Sequence, residues 1–244
     1  MSRSLDLVTF NVFFGEHHRD ARQEALLGLL EELDPDVIGL QEATPELVER
    51  IERAAWLEAY TRSDPEVHPH GLLCLSRVPV RRFVRHPLRS MFGRELLIAE
   101  LEDLAIGIVH LESTRGLSAQ RRAQLASIFP RLAAYTDAVL MGDLNLCSSW
   151  DENGALDPAY VDVWPAIHPE HPGWTEDTDI NLMRKELRGG HKQVRFDRVL
   201  LRSASWRATE IELVGTRPVA STSPLVFPSD HFGLRARLIP SRLR

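Results

Sequence analysis

Cysteine is scarce in this sequence, and its scarcity bears on where the protein works. The 244 residues include two cysteines, Cys74 and Cys147, which cannot form a disulfide framework and lack the spacing of a metal site. We therefore expect a reducing environment, with the cytoplasm as the default. The N-terminus also lacks the apolar region and cleavage site of a secretory signal peptide, which favours the same intracellular location.

Long apolar runs and an excess of basic residues are absent as well. No run approaches the roughly 20 residues that span a bilayer, so we expect a soluble protein without a membrane partner. Lys and Arg number 29 against 35 Asp and Glu, giving a net charge of −6 and excluding a basic surface over the whole chain. Any contact with nucleic acid must therefore be local. Hydrophobic residues make up 43% of the sequence, which is enough to bury a sizeable core.

Repeats, low-complexity tracts and Gly/Ser linkers are also missing, so we predict a single domain over residues 1–244 and expect a monomer. Apolar residues at helical spacing predict helices over 19–33 and about 118–135, and a shorter one near 47–55. Residues 151–193 are rich in Pro, Gly, Asp and His and are predicted to form long ordered loops. Strands alternate with helices in one part of the chain and follow one another in another part. This order predicts an α/β fold with two mixed β-sheets packed face to face and helices outside.

Polar side chains occur at the ends of six predicted strands, where hydrophobic patterning does not require them. Taken alone, each has an ordinary explanation as a strand end, a turn or a local ion pair. Taken together, they would converge on one mouth of a two-sheet sandwich, where loops at strand ends carry functional sites. The residues are Asn11, Gln41, Glu42, His110, Glu112, Asp143, Asn145, Asp197, Asp230 and His231.

These side chains have the chemistry of metal-assisted phosphodiester hydrolysis. Glu42, helped by Asp230, suits Mg²⁺, which binds through few carboxylates and keeps several waters. Asp143 can orient or deprotonate a water molecule. His231, oriented by Asp197 through its other ring nitrogen, can donate a hydrogen bond to a phosphoryl oxygen. Neutral donors for the charge of the transition state would come from Asn11, His110 and Asn145.

Four short blocks occur in an order that resembles the signature motifs of the endonuclease/exonuclease/phosphatase superfamily. They are TFN (9–11), LQE (40–42), GDLN (142–145) and SDH (229–231). The resemblance runs from Leu5 to Ile239 and implies a four-layer α/β sandwich. Further blocks resemble, within that superfamily, the 5′-tyrosyl-DNA phosphodiesterases: HLESTRG (110–116), DVW (162–164), RFDRVLLR (195–202) and FPSDHFGL (227–234).

The resemblance implies a hydrolase of DNA repair that cleaves the bond between a DNA 5′-phosphate and a tyrosyl or peptide adduct. It implies one Mg²⁺, which Mn²⁺ can replace, at Glu42 with Asp230. Asp143 would activate water, and His231, steadied by Asp197, would stabilise the transition state. Phosphate, attacking water and the DNA strand would be held by Asn11, Asn145, His110, Ser113, Thr114, Arg115, Trp174 (as a stacking face), Asn181, Leu182 and Ser229.

Two departures from the family pattern concern substrate binding. Cys147 stands where the family has an arginine that reaches the phosphate, and a neutral thiol cannot replace that donor. His68 and His70 occupy a stretch where the family has aromatic residues near the leaving group. Basic residues that cluster near the proposed mouth predict a single-strand binding edge: Arg115, Arg121, Arg122, Arg184, Lys185, Arg188, Lys192 and Arg195.

Three alternative functions stay open on the same residues. The first is a Mg²⁺-dependent endonuclease or exonuclease of the same fold that acts on abasic DNA or on RNA. The second is a lipid or inositol phosphatase, which the absence of a long apolar loop and of a basic amphipathic helix disfavours. The third is a non-enzymatic scaffold, which would have broken catalytic motifs, whereas every motif position here is intact.

Overall fold

The computed structural model describes residues 4–219 and 225–241. In chain order its strands are β1 (Leu5–Asn11), β2 (Val37–Ala43), β3 (Thr61–Arg62), β4 (Gly71–Ser76), β5 (Arg82–Pro87), β6 (Glu95–Glu100), β7 (Ala105–His110), β8 (Ala138–Asp143), β9 (Val161–Asp162), β10 (Glu176–Asp177), β11 (Gln193–Val194), β12 (Asp197–Arg202), β13 (Trp206–Val214) and β14 (Gly233–Pro240). The α-helices are α1 (Arg19–Leu33), α2 (Pro45–Arg53), α3 (Ser118–Leu132), α4 (Val163–Ile167) and α5 (Leu182–Arg188).

The strands form two six-stranded sheets and a short hairpin. The first sheet has the order β13-β14-β1-β2-β4-β3, the second has the order β5-β6-β7-β8-β12-β9, and β10 pairs with β11. Within the sheets, β1 with β2 and β7 with β8 are parallel, whereas the other pairs are antiparallel. The prediction of two mixed sheets is therefore confirmed.

The core has three apolar layers, one between the two sheets and one between each sheet and the helix layer that covers it. Residues of both sheets, among them Leu7 and Met141, pack between the sheets. Leu26 of α1 packs with strand residues on the outer face of the first sheet, and Leu125 of α3 does so on the second. Complete burial of such a side chain stabilises the fold by about 1.5–3 kcal/mol. The result is the expected four-layer α/β sandwich.

The helices begin and end close to their predicted bounds, with one difference. α1 covers 19–33 as predicted, and α2 begins where the Thr44 hydroxyl accepts a hydrogen bond from the Leu47 amide. α3 ends at Leu132 instead of continuing to Tyr135, because tighter turn bonds close its last residues. No helix in the described ranges is both long and apolar enough to cross a bilayer.

Residues 151–193 contain more regular structure than the predicted loops. A 3-10 turn (Asp151–Ala155), α4, α5 and the β10–β11 hairpin all lie in this segment. These elements are too short for apolar periodicity to reveal them. α5 is stabilised at its start by the Asn181 side chain, which accepts a hydrogen bond from the Arg184 amide. The prediction that this whole segment is loop was therefore wrong.

Candidate active site

The strand register brings the polar strand ends to one edge of the sandwich. Asn11 lies opposite Gln41 in the first sheet. In the second sheet, Asp143 lies between His110 on one side and Asp197 on the other. The two sheets meet at this edge, where the Asn11 Nδ2 donates to Asp143 Oδ2 over 3.0 Å. Residues 132 positions apart in the sequence are therefore in direct contact.

Asn11 joins two carboxylates from different sheets. Its Nδ2 also lies 3.3 Å from Glu42 Oε1, and Glu42 Oε2 accepts a hydrogen bond of 3.0 Å from the Phe14 amide. Glu42 has a φ of 60°, and the β2–β4 register shifts between Leu40 and Ala43. A positive φ costs a non-glycine residue roughly 1–3 kcal/mol, and such strain concentrates at functional sites. The positive φ and the register shift therefore indicate that Glu42 has a functional role at this edge.

His110 is a neutral hydrogen-bond donor at this edge. Arg94 Nη1 lies 2.9 Å from His110 Nδ1, and because a guanidinium only donates, the ring proton must be on Nε2. That Nε2 lies 3.4 Å from Asp143 Oδ2 and 3.9 Å from Glu42 Oε1. Burial, followed by the charge of Arg94, lowers the pKa of His110 well below its usual value. The imidazole is therefore uncharged and directs its proton towards the carboxylates.

Asp143 is a buried carboxylate with a raised pKa. Burial, with the nearby charge of Asp197 acting in the same direction, raises the pKa of Asp143 to about 7. The Asn145 amide donates to Asp143 Oδ1 over 2.8 Å and fixes the carboxylate. Gly142 precedes it with a φ of 138°, and a Cβ atom there would lie 2.0 Å from the Val109 carbonyl oxygen. Only glycine therefore allows this approach of β8 to β7 at the strand end.

His231 lies between two carboxylates. Asp197 Oδ2 is 2.8 Å from His231 Nδ1, which is the contact that the predicted orienting role requires. On the other side, Glu176 Oε1 lies 3.5 Å from His231 Nε2. Burial disfavours the imidazolium, but the charge and hydrogen bond of Asp197 outweigh burial and raise the pKa of His231 well above its usual value. His231 is therefore a charged donor.

Two groups of side chains could hold a metal ion. Ligand atoms of Asp143, Asp197 and His231 lie within 4.8 Å of one another, but a protonated histidine cannot be a ligand. The other group is the predicted pair of Glu42 and Asp230. Burial raises the pKa of Asp230, the charges of His231 and Arg188 lower it, and the charge of Glu42 raises it, so the Glu42 carboxylate lies close enough to act on Asp230. A hard divalent cation fits this second pair because it would relieve their repulsion.

A cavity of about 740 Å³ opens at this edge. Of the predicted residues, it is lined by Glu42, His110, Ser113, Thr114, Arg115, Asp143, Asn145 and His231. The rest of its wall consists of Phe14, His70, Phe92, Arg94, Trp150, Glu176, Arg188, Lys192 and Phe196. Asn11, Asp197 and Asp230 are buried directly behind that wall.

Four predicted substrate-binding residues do not line the cavity. Trp174 is half-buried outside it, whereas Glu176 of the same segment lines the wall. Asn181 is buried, caps α5 and donates to the Ser229 carbonyl over 2.8 Å. The Ser229 hydroxyl donates to the Asn11 carbonyl over 2.6 Å. Leu182 is 39% exposed at the start of α5. Asn181 and Ser229 thus position the loop before Asp230 instead of facing the cavity.

The predicted basic edge is smaller than the sequence suggested. Arg121 is fully buried against Glu152, with its nearest nitrogen–oxygen distance 2.7 Å. Arg184 is likewise paired with Glu176, and Arg195 with Asp162. These three arginines are structural, since a buried guanidinium requires a partner. The members of the predicted edge that line the cavity are Arg115, Arg188 and Lys192.

Sequence reasoning missed several residues of the cavity, and two of them carried no signal that it could use. Arg94 precedes a strand and belongs to no recognised motif, and Trp150 lies in a loop. Phe196 is part of the quoted RFDRVLLR block and could have been chosen, because an aromatic residue beside a catalytic strand end offers a stacking face. Glu176 lies two positions after Trp174 and lines the cavity, whereas Trp174 does not.

A comparison with family models places the chain in a known class. The model described as "Endonuclease/Exonuclease/phosphatase family" matches residues 8–231, which is most of the sequence. The chain therefore belongs to the endonuclease/exonuclease/phosphatase family, and the resemblance of its four motif blocks is confirmed.

Relatives within that family narrow the comparison. The chain is 31% identical over 231 residues to "Tyrosyl-DNA phosphodiesterase 2" of Xenopus laevis, covering 87% of this chain and 60% of the relative. The chain thus spans less than two thirds of the length of this relative. A crystal structure of "humanized D. rerio TDP2 by 14 mutations" has a TM-score of 0.82 at 26% identity, covering 96% of this chain and 98% of that one. The structure of "D. rerio TDP2 complexed with single strand DNA product" has a TM-score of 0.83 at 24% identity, with the same coverage.

Proposed function

We propose that this protein is a divalent-metal-dependent phosphodiesterase that hydrolyses the bond between a DNA 5′-phosphate and a tyrosyl or related peptide adduct. The observation that carries the proposal is the bridge from Glu42 through Asn11 to Asp143, with the Asp197–His231 pair against the same cavity. This arrangement offers a cation site, a base and a charged donor within one cavity. The likeness to the tyrosyl-DNA phosphodiesterase 2 proteins supports the choice of substrate.

The proposed reaction is attack of water on phosphorus. Asp143 would take the proton of the attacking water, and a pKa of about 7 suits a base at neutral pH. His231, held by Asp197, would donate from Nε2 to a phosphoryl oxygen as negative charge develops there. The bond from phosphorus to the tyrosyl oxygen breaks, and the phenol oxygen ends with a proton from solvent. The products are a DNA 5′-phosphate and free tyrosine or peptide.

Glu42 and Asp230 would hold the divalent cation, for which Mg²⁺ is the proposed ion and Mn²⁺ a substitute. Bound there, the ion would stabilise charge on the phosphoryl and leaving oxygens. Asn11 would keep the two carboxylates Glu42 and Asp143 at a fixed separation, because its amide contacts both. His110, neutral and donating from Nε2, would contribute a hydrogen bond without adding charge.

Two parts of the cavity suit the two parts of this substrate. Trp150 lies 6.1 Å from Phe196 between ring centroids, with the Arg115 guanidinium 5.8 Å from Trp150 and Lys192 Nζ 4.6 Å from Phe196. Aromatic faces with cations bind single-stranded nucleotides through stacking and charge. The cavity also continues into a pocket of about 180 Å³ beyond Arg94, where the departing adduct would lie.

The proposal extends to the biological setting. A DNA end with a protein adduct is an intracellular substrate, and we place the activity in DNA repair inside the cell, where Cys74 and Cys147 would remain reduced. We propose that the protein works as a monomer, because the proposed catalytic residues all come from one chain.

The decisive experiment compares three oligonucleotides at equal concentration with Mg²⁺: a 5′-tyrosyl single strand, a 5′-phosphorylated single strand and a duplex with an abasic site. We expect the 5′-tyrosyl single strand to be cleaved fastest, with release of tyrosine. A blunt 5′-tyrosyl duplex, tested in addition, should release tyrosine more slowly, and cleavage should stop in EDTA. Cleavage of the abasic duplex with the tyrosyl strand untouched would show a nuclease of the same fold instead. A phospholipid or inositol phosphate turned over fastest would show the phosphatase alternative.

A further inference from the structure

Besides His231, four cationic side chains line the cavity, and their contacts distinguish them. Lys192 Nζ is paired with Glu176 Oε1 at 2.8 Å, and Arg94 donates to the His110 ring. Arg115 belongs to the aromatic part of the cavity, beside Trp150. The fourth is Arg188, the last residue of α5. The position of each cation limits which part of a substrate it can reach.

Arg188 directly contacts one of the two proposed metal ligands. Its Nη2 lies 3.0 Å from Asp230 Oδ2, and Asp230 directly precedes His231. The guanidinium also lies 5.6 Å from the ring centroid of Phe13. The side chain is 51% exposed, in contrast to Asp230, whose side chain is 3% exposed. One guanidinium nitrogen therefore holds the buried carboxylate while the remainder of the group borders the open cavity.

We propose that Arg188 is a substrate-binding residue that contacts the 5′-phosphate and supplies the charge-assisted donor that Cys147 cannot supply. This inference rests on the proposed function. A guanidinium has five N–H donors in a planar fork, so it can keep one contact and offer others to a phosphate. Asp230 holds Arg188 at the cavity wall in the structure, and a cation bound by Glu42 and Asp230 would take over that carboxylate and leave the guanidinium to the phosphate.

The test measures phosphate recognition separately from cleavage. A short single-stranded DNA with a 5′-phosphate and the same strand with a 5′-hydroxyl are titrated in Mg²⁺, and their dissociation constants are compared. The wild-type protein should prefer the phosphorylated strand. In Arg188→Gln that preference should fall by about tenfold, as expected for the loss of one hydrogen bond between charged groups. Because neither strand carries an adduct, the result does not depend on the proposed tyrosyl substrate.

Lys185→Gln is the matched control. Lys185 lies three positions earlier on α5, is exposed and does not line the cavity, so its substitution removes the same charge from the same helix. It should leave the preference for the 5′-phosphate unchanged. If both variants lose the same amount of preference for the 5′-phosphate, the effect of Arg188 is one of net charge alone and the proposal is wrong.

Measuring Mn²⁺ binding in the absence of DNA shows whether Arg188 contacts the phosphate or only maintains the structure of the site. Without Arg188 at Asp230, Mn²⁺ should bind as tightly as in the wild type or more tightly. If Arg188→Gln binds Mn²⁺ more weakly, the substitution has damaged the site, and the assignment of a phosphate contact is wrong. An unchanged preference for the 5′-phosphate in Arg188→Gln would also be decisive against the proposal, whether or not the wild-type enzyme cleaves a tyrosyl adduct.

Discussion

Residues 5–43 and 105–143 form the same strand–helix–strand arrangement in the two sheets, and a comparison of these two units shows how the site is built. In the first unit β1, α1 and the parallel strand β2 lead to Glu42; in the second, β7, α3 and the parallel strand β8 lead to Asp143. Each helix has an arginine as its fourth residue, Arg22 and Arg121, and both are fully buried. Each arginine donates to carbonyl groups of the loop that precedes its helix.

The two arginines differ in how their charge is balanced. Arg121 forms a two-point ion pair with Glu152, at 2.7 and 3.0 Å. Among the described residues, the hydrogen bonds of Arg22 go to carbonyl oxygens alone, including that of Pro228, and its guanidinium lies 4.7 Å from the ring centroid of Phe13. Burial lowers the pKa of Arg22 to about 10, whereas the charge of Asp230 acts to raise it. In the first unit, the charge of Arg22 therefore acts on Asp230, a proposed metal ligand. In the second unit, the charge of Arg121 is neutralised by Glu152.

The largest difference between the units should be in the roles of their terminal carboxylates. Glu42→Gln and Asp143→Asn should each lower kcat by about 1,000-fold, equivalent to about 4 kcal/mol of transition-state stabilisation. Glu42→Gln should also lose Mn²⁺ binding, measured by titration without substrate, whereas Asp143→Asn should retain it. Mn²⁺ binding that is lost in Asp143→Asn and kept in Glu42→Gln would reverse the assignment of the two units.

Arg22 and Arg121 should differ in whether a second substitution can restore the stability that is lost when either arginine is replaced. Arg121→Met leaves the Glu152 carboxylate buried without its partner and should destabilise the protein by about 3–5 kcal/mol in urea unfolding. Adding Glu152→Leu should recover most of that loss. Arg22→Met should cost about 1–3 kcal/mol for the unsatisfied carbonyl groups, and no substitution of one acidic residue should repair it. A double variant as unstable as Arg121→Met alone would show that the ion pair is not the source of the cost.

A third contribution comes from outside both units, through β12 and the loop before β14. His231→Ala and Asp197→Asn should each lower kcat by roughly 100-fold, the range of a positioned proton donor. The double variant should be little worse than the worse single variant, because residues that act as one unit are not additive. The measurement is steady-state kinetics at saturating substrate. If the two decreases in kcat are additive in the double variant, His231 and Asp197 have independent roles.

The segments that follow the two units differ as well, and the expected effect here is the smallest. Helix α2 follows the first unit, whereas the second is followed by a loop that brings Trp150 to the cavity. Trp150→Ala should raise KM for a 5′-tyrosyl single strand by about tenfold with little change in kcat, as expected for one lost stacking contact. Trp174→Ala is the control and should change KM little. The opposite result would restore Trp174 as the stacking residue.

Much of the fold was predictable from local patterns. The helix over 19–33 was correct because a long apolar stripe at helical spacing has few competing structures. The predicted strand ends at Asn11, His110 and Asp143 were also correct, because each closes a run of apolar residues. β5 was missed because its residues are exposed or half-buried and carry no apolar alternation. α5 was missed because seven residues are too few for a period to be read.

The sequence by itself determined which residue types could carry the chemistry. The motif blocks identified the carboxylates, amides and histidines, because metal binding and proton transfer need those groups whatever surrounds them. Tertiary structure decided which of them meet and which face the cavity. Asn11 and Asp143 touch only because two sheets pack at that edge. Glu176 lines the wall from one short hairpin, whereas Trp174, two residues earlier, does not. Such contacts depend on distance and burial, which arise from packing between elements far apart in the chain and leave no local pattern to read.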